Sequence, residues 1–335
     1  MLFELPYFEH AEATTVPQAV SLLREHGDEA AVVAGATDLL GLLKDRVEGP
    51  AMKTPRILLD IKTIEELNQI NEYSEGQRIG AAVTLADLVH NDLIRKHFPV
   101  LSQAAAQVGT TQLRNMGTVG GNLCQRPRCM YFRHPHFLCF KKGGKRCFAA
   151  AGEHRDYHAV LNRGRCVMGH PSDTAPALIA LNADCVIADS EGEKNVPLQK
   201  FFAGPDSFRE TVLRPEQILK EIRLPWPPTG SRQIFLKRRV RHAADFALAN
   251  VAAVAVFAGE ICREINLVLG GVAPLPILAE EAAGVLRNRR WDEQLIGEAA
   301  EAAVEGAKPL PRNRYKIDLA KALVRRALRM ICESP

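Results

Sequence analysis

The sequence predicts a protein of the α+β class with more than one domain, and three observations support this. Short apolar runs typical of strands, such as residues 30–33, occur between segments with helical periodicity and helix-capping residues. A segment rich in proline and glycine at residues 225–230 separates two parts of different character. The length of 335 residues is sufficient for two or three hydrophobic cores.

The beginning of the chain predicts a small unit of helices and strands. Thr15 precedes the helical segment VPQAVSLLREH and Gly27 follows it, as expected of an N-cap and a helix end. The strand at residues 30–33 leads directly into the small-residue segment AGATD, residues 34–38, and then into an apolar helix. A strand, a turn of small residues and a helix can direct several backbone N–H groups towards one anion.

The following elements continue this mixed pattern. A strand at residues 56–61 precedes a helix for which Thr63 and Glu66 predict a capping box. Another strand at residues 79–84 ends at a helix cap, and a helix is expected around residues 97–108.

The motif HPSD at residues 170–173 precedes the apolar helical segment TAPALIALNA, for which Ser172 or Asp173 is the expected N-cap. A strand follows at residues 184–189. Beyond the proline-rich boundary we expect two long strands and two long helices, at residues 250–258, 264–273, 293–306 and 318–331.

Bulk properties exclude several classes of protein. The net charge of +4 is small and localised, which argues against a nucleic-acid-binding protein. The chain has no run of about 20 apolar residues, so we expect no membrane span. The first fifteen residues contain acids and no cationic segment, so we expect no signal peptide and a cytoplasmic protein, although export with a signal-bearing partner stays open.

Two glycine-rich segments are candidates for phosphate binding. One is AGATD and the other is GTVGGN, residues 117–122. Each is weak evidence alone, but two such loops in one domain can hold the two phosphates of a dinucleotide because the backbone can approach closely. Neither fits the Rossmann or the Walker pattern. Asp173 is a candidate to accept hydrogen bonds from a ribityl or ribose hydroxyl.

A dense group of cysteines is the most unusual feature. Five of the eight cysteines lie within residues 124–166, at positions 124, 129, 139, 147 and 166, in a segment with ten Lys and Arg and two acids. The segment is too polar to form a core of its own or to bury these thiols, so disulfides, zinc or an iron–sulfur cluster must order it. A reducing compartment disfavours disulfides. The wide spacing of the cysteines favours an iron–sulfur cluster over structural zinc, whose ligands usually come in closely spaced pairs. The histidines of the segment could be ligands, but histidines in a surface loop are more often plain polar residues.

Several motifs together give the chain a resemblance to a known family. AGATDLL, IGAAVTLADL, QLRNMGTVGGNL, HPSDTAPALIALNA, EQILKEIRLP and YKIDLAKALVRRAL occur in the order found in FAD-binding medium subunits of the xanthine dehydrogenase family of molybdenum hydroxylases. The resemblance implies a vanillyl-alcohol-oxidase (PCMH) type FAD-binding domain at residues 1–226, with subdomains of about 1–60 and 61–226. It also implies a C-terminal α/β domain, similar to that of the CO dehydrogenase flavoprotein, at residues 227–335.

The resemblance also implies the residues that bind FAD. These are Val33, Ala34, Gly35, Ala36, Thr37, Asp38, Ala82, Thr84, Gly117, Thr118, Gly120, Gly121, Asn122, Ser172, Asp173, Leu219 and Lys237. The family usually has glycine where this chain has Ala36, and a methyl group is tolerated there if the loop stays near the right-handed helical region. Lys237 is expected near the flavin, where its charge would favour the anionic reduced form.

The cysteine segment resembles an insertion found in the 4-hydroxybenzoyl-CoA reductase and aldehyde oxidoreductase branches of the family. The resemblance implies a 4Fe–4S cluster bound by Cys129, Cys139, Cys147 and Cys166, with Cys124 outside the ligand set. It implies an electron-transfer subunit that works with a large molybdopterin subunit and a small subunit with 2Fe–2S clusters, as a heterotrimer or a dimer of heterotrimers. The alternative is a zinc-stabilised nucleotide-binding or scaffold protein without redox activity.

Overall fold

The computed structural model describes residues 4–242 and 244–333, so the expectation about the first fifteen residues lies partly outside the described residues. Its α-helices are α1 Val16–His26, α2 Leu39–Lys44, α3 Leu85–His90, α4 Asp92–His97, α5 Pro99–Ala106, α6 Thr111–Met116, α7 Val119–Cys124, α8 Met130–Arg133, α9 Thr174–Ala180, α10 Glu280–Leu286, α11 Glu293–Ala302 and α12 Tyr315–Glu333. Its strands are β1 Glu9–Glu12, β2 Ala30–Val33, β3 Ile57–Asp60, β4 Ile70–Tyr73, β5 Gly76–Gly80, β6 Asp184–Asp189, β7 Gly192–Pro197, β8 Ile218–Pro225, β9 Arg232–Arg238, β10 Ala249–Ala258, β11 Ile261–Gly270, β12 Ile277–Leu278 and β13 Arg289–Arg290.

The strands form three sheets. A small parallel sheet has the order β1-β3-β2. An antiparallel sheet has the order β4-β5-β8-β6-β7, and a second antiparallel sheet has the order β12-β11-β10-β9 with β13 paired to β11. The proline-rich boundary lies between β8, which ends at Pro225, and β9, which begins at Arg232.

The third sheet joins the two parts of the chain because both of its faces are buried. Successive side chains of a strand point to opposite faces. In β10, Ala252 and Val254 contribute to the large core that also contains α3, α5 and α9, whereas Val251 and Ala253 pack in the core formed with α10, α11 and α12. The apolar side chains buried in these two cores provide the main stabilising contribution to folding.

Several predicted helix ends are confirmed. The hydroxyl oxygen of Thr15 accepts a hydrogen bond from the Gln18 N–H at 3.3 Å, and Gly27 ends α1 with a φ of +51°. Thr84 caps α3 in a capping box with Asp87. The strand before it is shorter and earlier than predicted, at Gly76–Gly80.

The capping box predicted for Thr63 and Glu66 is wrong. Residues Glu65–Asn68 form a 3₁₀ turn without a side-chain cap. The hydroxyl of Thr63 donates instead to the carbonyl oxygen of Ala13 at 3.1 Å, which joins two distant parts of the chain. A local sequence pattern cannot anticipate that competing partner.

The cysteine segment is more compact than the sequence predicts. It contains α8 and two 3₁₀ turns, Phe140–Lys142 and Phe148–Ala150. Phe132 and Phe140 are buried, and Phe132 packs with Leu42 and Leu310 from outside the segment. The expectation that so polar a segment could not bury thiols is therefore wrong, because apolar residues from other parts of the chain cover it.

None of the described helices is both long enough and apolar enough to cross a bilayer.

Candidate FAD cleft and thiol cluster

The two small-residue loops lie directly against each other. A Cβ atom on Gly35 would be 1.9 Å from the carbonyl oxygen of Met116, and one on Gly117 would be 3.3 Å from Thr37 Oγ1. The contact requires glycine at position 35, because no side chain can fit at 1.9 Å. The predicted association of the two loops is thus present in the fold.

The first loop offers free backbone donors. None of the N–H groups of residues 34–38 donates a hydrogen bond to another described residue. In the second loop, by contrast, the N–H groups of Gly117 and of residues 119–122 all donate within the protein. The first loop therefore has the donors that a bound pyrophosphate needs, and the second loop mainly shapes the wall.

Ala36 holds the first loop in an unusual conformation. Its φ is +56°, in the left-handed region, so the condition under which a methyl group is easily tolerated there is not met. This conformation costs an L-residue about 1–2 kcal/mol. The glycine-like geometry is kept although the residue is alanine.

Two adjoining cavities flank the loops. One has a volume of about 260 Å³ and the other about 210 Å³. Their shared lining residues are Thr37, Asp38, Thr118, Gly121 and Gln125. Two chambers that meet at a loop with free backbone N–H groups have the arrangement that a dinucleotide needs, because its two halves are linked by a pyrophosphate.

The structure brings most of the predicted FAD residues to these cavities. The lining includes Ala34, Gly35, Ala36, Thr37, Asp38, Gly117, Thr118, Gly120, Gly121, Asn122, Asp173 and Leu219. The predicted residues outside the lining are Val33, Ala82, Thr84, Ser172 and Lys237. The Val33 carbonyl oxygen accepts from the Ile61 N–H at 3.0 Å, and the Ala82 N–H donates to the Leu67 carbonyl oxygen at 2.8 Å. The side chain of Thr84 takes part in its helix cap.

Ser172 acts through Asn122. Its hydroxyl donates to Asn122 Oδ1 at 2.6 Å and accepts from the Ala175 N–H at 3.1 Å, so Ser172 supplies a side-chain hydrogen bond to the first turn of α9. Thr174 donates to the same Asn122 oxygen at 2.7 Å. The three contacts fix the Asn122 amide at the wall of the cleft.

Asp173 occupies the N-cap position of α9, but the prediction that its side chain caps the helix is wrong, because it makes no capping hydrogen bond. Its carboxylate lies 2.5 Å from Lys237 Nζ and accepts from Asn250 Nδ2 at 2.9 Å. Both charged side chains are almost fully buried at the boundary between the two domains. Burial raises the pKa of Asp173, while the charge of Lys237 opposes the rise.

Lys237 does not line the two cavities, but it contacts Asp173, which lines the second one. Its amine also donates to the Gln107 carbonyl oxygen at 3.1 Å. The side chain of Asp173 therefore lies between this amine and the second cavity. Stabilisation of an anionic reduced flavin by the charge of Lys237 stays a prediction. We expect this stabilisation to be small, because the carboxylate of Asp173 offsets the charge.

Sequence reasoning missed much of the wall of the second cavity. Arg128, Asp245 and Phe246 line it, and the Arg128 guanidinium lies 4.5 Å from the Phe246 ring centre. Tyr157 hydrogen-bonds to Asp245 and so supports this wall. These residues come from three separate segments and carry no local motif.

The four predicted ligand cysteines converge. Cys129, Cys139, Cys147 and Cys166 line one small cavity of about 10 Å³, and its lining contains no carboxylate. Cys124 lies apart from them and lines the first cleft cavity. Binding anything larger than a water would require the four thiols to move apart. No group of three or more His, Cys, Asp or Glu side chains in residues 4–242 and 244–333 is arranged to hold a single metal ion.

Backbone N–H groups surround the four sulfurs. The donors include Phe132 to Cys129, Lys142 to Cys139, Val167 to Cys147, and Met168 to Cys166. Hydrogen bonds of this kind stabilise thiolates and are one of the means by which proteins tune iron–sulfur sites. The donor set therefore fits a thiolate-bound cluster.

The thiols also influence one another. A hydrogen bond from Cys166 lowers the pKa of Cys147 to about 6, and the same bond raises the pKa of Cys166. Burial raises the pKa of Cys129 to about 12. A nearby cation or metal is what such buried thiols need to ionise.

Ion pairs neutralise part of the positive charge of the cysteine segment, residues 124–166. Asp38 lies 2.8 Å from Arg128 Nη2 and 2.6 Å from Arg133 Nη2, and it accepts from the Arg126 N–H at 2.7 Å. Arg126 also pairs with the buried Glu210 at 2.7 Å. Asp38 ends the first cleft loop, so this network ties the cleft to the residues that flank Cys129.

Two histidines of the segment are not plain surface residues, contrary to expectation. His154 and His158 are 3% and 5% exposed. The Nε2 atom of His158 lies 3.3 Å from the sulfur of Cys129. Burial lowers the pKa of His158 to about 4, so the ring is neutral at neutral pH.

Comparison with known proteins identifies the class. Residues 6–227 match the family described as the FAD binding domain in molybdopterin dehydrogenase, and residues 235–331 match the CO dehydrogenase flavoprotein C-terminal domain. The chain belongs to the family of FAD-binding medium subunits of molybdenum hydroxylases, as the motifs predicted.

Individual relatives agree with this assignment. The chain is 34% identical over 319 residues to the aldehyde oxidoreductase FAD-binding subunit PaoB of Escherichia coli K12, covering 92% of this chain and 94% of that protein. It is 28% identical over 328 residues to the carbon monoxide dehydrogenase medium chain of Hydrogenophaga pseudoflava, covering 96% of each.

Solved structures agree as well. The Hydrogenophaga pseudoflava carbon monoxide dehydrogenase that lacks the Mo-pyranopterin moiety matches with a TM-score of 0.78 and 27% identity, covering 97% of each chain. The reconstituted enzyme from Oligotropha carboxidovorans matches with a TM-score of 0.79 and 25% identity, covering 99% of this chain and 100% of that chain. The predicted fold class is confirmed.

Proposed function

We propose that the chain is the electron-transfer subunit of a molybdenum hydroxylase and holds both FAD and a 4Fe–4S cluster. The observation that carries this proposal is the convergence of Cys129, Cys139, Cys147 and Cys166 on one cavity beside the FAD cleft. Cys124 lines the cleft and Cys129 lines the thiol cavity only five positions later, so the two sites are neighbours.

The first loop supports the FAD half of the proposal. Free N–H groups at residues 34–38 would bind the pyrophosphate, and Gly121 would let it approach the second loop. Asn122 and Asp173 would bind hydroxyl groups of the same molecule from the second cavity. We propose residues 1–226 and 227–335 as the two domains.

The thiol cavity supports the cluster half. Four thiolates supply the usual Cys₄ set, and when bound the two cofactors would supply one-electron and two-electron redox chemistry. The protein's own contribution is to bind them, to exclude water and to hold them next to each other. Lys141 is buried and lines the cavity, and the charge of the buried Lys142 acts on Cys139, so both would offset negative charge at the site.

The partners follow from the proposed role. We propose a large molybdopterin subunit that acts on the organic substrate and a small subunit with two 2Fe–2S clusters, in a heterotrimer or its dimer. Electrons would pass between those clusters and an external acceptor or donor through this chain. We propose the cytoplasm as the compartment, because it keeps a thiol-rich segment reduced.

Cofactor analysis of three purified proteins tests this function. We expect FAD and about four iron atoms per chain in the unmodified protein, the loss of about four iron atoms in Cys129→Ser, and retention of iron in Cys124→Ser. The matched pair separates a ligand from a cysteine of the cleft wall. A colourless protein with one zinc would favour the zinc-stabilised scaffold. Loss of iron from Cys124→Ser alone would show that the ligand set is different.

A further inference from the structure

The imidazole ring of one buried histidine of the cysteine segment has a single polar partner among the described residues. The Nε2 atom of His158 lies 3.3 Å from Cys129 Sγ, and its Nδ1 atom is buried without a hydrogen-bond partner among the described residues. A neutral imidazole carries one N–H, and a metal-bound thiolate has no proton to give. With Cys129 bound to a metal, the proton of this contact would belong to His158 Nε2, which would donate to the sulfur.

The C-terminal domain fixes the backbone that carries this ring. The carbonyl oxygen of His158 accepts from Lys316 Nζ at 2.9 Å and from Asn313 Nδ2 at 3.4 Å. Both side chains are completely buried. Lys316 also donates to the carbonyl oxygens of Asp156 at 2.8 Å and Gly271 at 2.8 Å, so the amine has three acceptors from two parts of the chain.

The other histidines of the segment do not have this arrangement. His154 uses both ring nitrogens, with Nδ1 2.9 Å from the Ala149 carbonyl oxygen and Nε2 accepting from the Arg312 N–H at 3.1 Å. His134 and His136 contact each other at the surface of the segment. The geometry at Cys129 is therefore particular to His158 within the described part of this segment.

We propose that His158 donates its Nε2–H to the sulfur of Cys129 and thereby raises the reduction potential of the 4Fe–4S cluster. This inference rests on the proposed function. Reduction adds negative charge to the cluster and its sulfurs, so a donor to sulfur stabilises the reduced form more than the oxidised form. His158 is a positioning and tuning residue and not a ligand.

Substitution of His158 separates tuning from ligation. His158→Met has a similar volume without an N–H, and His158→Gln places an amide N–H near the original Nε2. We expect all variants to keep FAD and about four iron atoms per chain. In His158→Met the ratio of reduced to oxidised cluster at a fixed potential should fall about tenfold, which is about 59 mV for a one-electron couple. His158→Gln should recover much of this shift.

A second measurement detects the contact directly. Pulsed EPR of the reduced cluster in protein labelled with ¹⁵N-histidine should show one weakly coupled histidine nitrogen. The coupling should vanish in His158→Met and persist in His170→Phe, which removes a buried histidine that contacts Phe202 instead of a thiol.

The outcomes are distinct. An unchanged potential in iron-replete His158→Met, or no ¹⁵N coupling in the unmodified protein, would overturn the inference while leaving the proposed function intact. Loss of iron from both His158 variants would make His158 a ligand or scaffold and would also overturn it. An unmodified protein without iron would overturn the proposed function first.

Discussion

Asp38 is expected to couple the retention of FAD to that of the cluster. It follows the free N–H groups of the first cleft loop and holds three groups of the cysteine segment: Arg128, Arg133 and the N–H of Arg126. These groups flank Cys129 on both sides. The change Asp38→Ala removes all three contacts at once and leaves two guanidinium groups without this partner.

The size of the effect follows from the burial of the network. The side chain of Asp38 is 16% exposed, and those of Arg133 and Arg128 are 14% and 21% exposed. Removing one partner of a buried ion pair costs about 3–5 kcal/mol, whereas exposed pairs contribute about 0–1 kcal/mol. For a mostly buried network we expect about 3 kcal/mol, which is roughly a hundredfold weaker retention of the local structure. Asp38→Asn keeps an acceptor for the N–H and should show a smaller loss.

Flavin and iron content per chain, measured on the same purified sample, test this coupling. Asp38→Ala should lose both cofactors together, although Asp38 is not a proposed cluster ligand. Asp28→Ala is the matched control, because its pair with Arg209 at 3.3 Å is largely exposed, with Asp28 63% exposed. Full iron in a flavin-free Asp38→Ala protein would refute the coupling, and so would full retention of both cofactors.

Three further changes have defined outcomes. Gly121→Val should fold but lose FAD, because a Cβ at position 121 meets only Thr118 Oγ1, at 3.1 Å. Gly120→Val should unfold, because a Cβ at position 120 would lie 2.7 Å from a backbone oxygen. Circular dichroism reports the folding of each variant and flavin fluorescence reports its FAD content. Burial, aided by a nearby lysine charge, lowers the pKa of His170 to about 3, so the unfolded chain binds this proton more tightly and stability falls as the pH drops from about 6.5 towards 3. Between pH 7 and pH 5 this residue should account for about 2 kcal/mol of lost unfolding free energy, and denaturant titrations of His170→Phe should lack that part. Ala36→Gly should raise the unfolding free energy by about 0.5–1 kcal/mol by relieving its positive φ, and an unchanged or lower value would show that the loop is not strained.

Local patterns predicted the parts of the fold that local interactions determine. Thr15 and Gly27 bound α1 because capping involves residues within one turn. The segment at residues 34–38 was recognisable because a turn between a strand and a helix has a characteristic composition. Its left-handed Ala36 was not, since most alanines avoid that region and only the surrounding fold imposes it.

Contacts between segments that are distant in the chain could not be predicted from the sequence. The pairing of Lys237 with Asp173, 64 positions away, was not predicted, and its proximity to the flavin stays a prediction. The contact of His158 with Cys129 spans 29 positions and depends on a buried lysine of α12. The spacing of the cysteines indicated a shared site, but the residues that bury it come from elsewhere in the chain.

An anaerobic reductive titration of the purified chain tests the central claim most directly, namely that FAD and a 4Fe–4S cluster share this subunit. We expect about three reducing equivalents per chain, of which about two reduce the flavin and about one produces the EPR signal of a reduced cluster. A titration that bleaches only the flavin bands with about two equivalents and yields no cluster signal would contradict it.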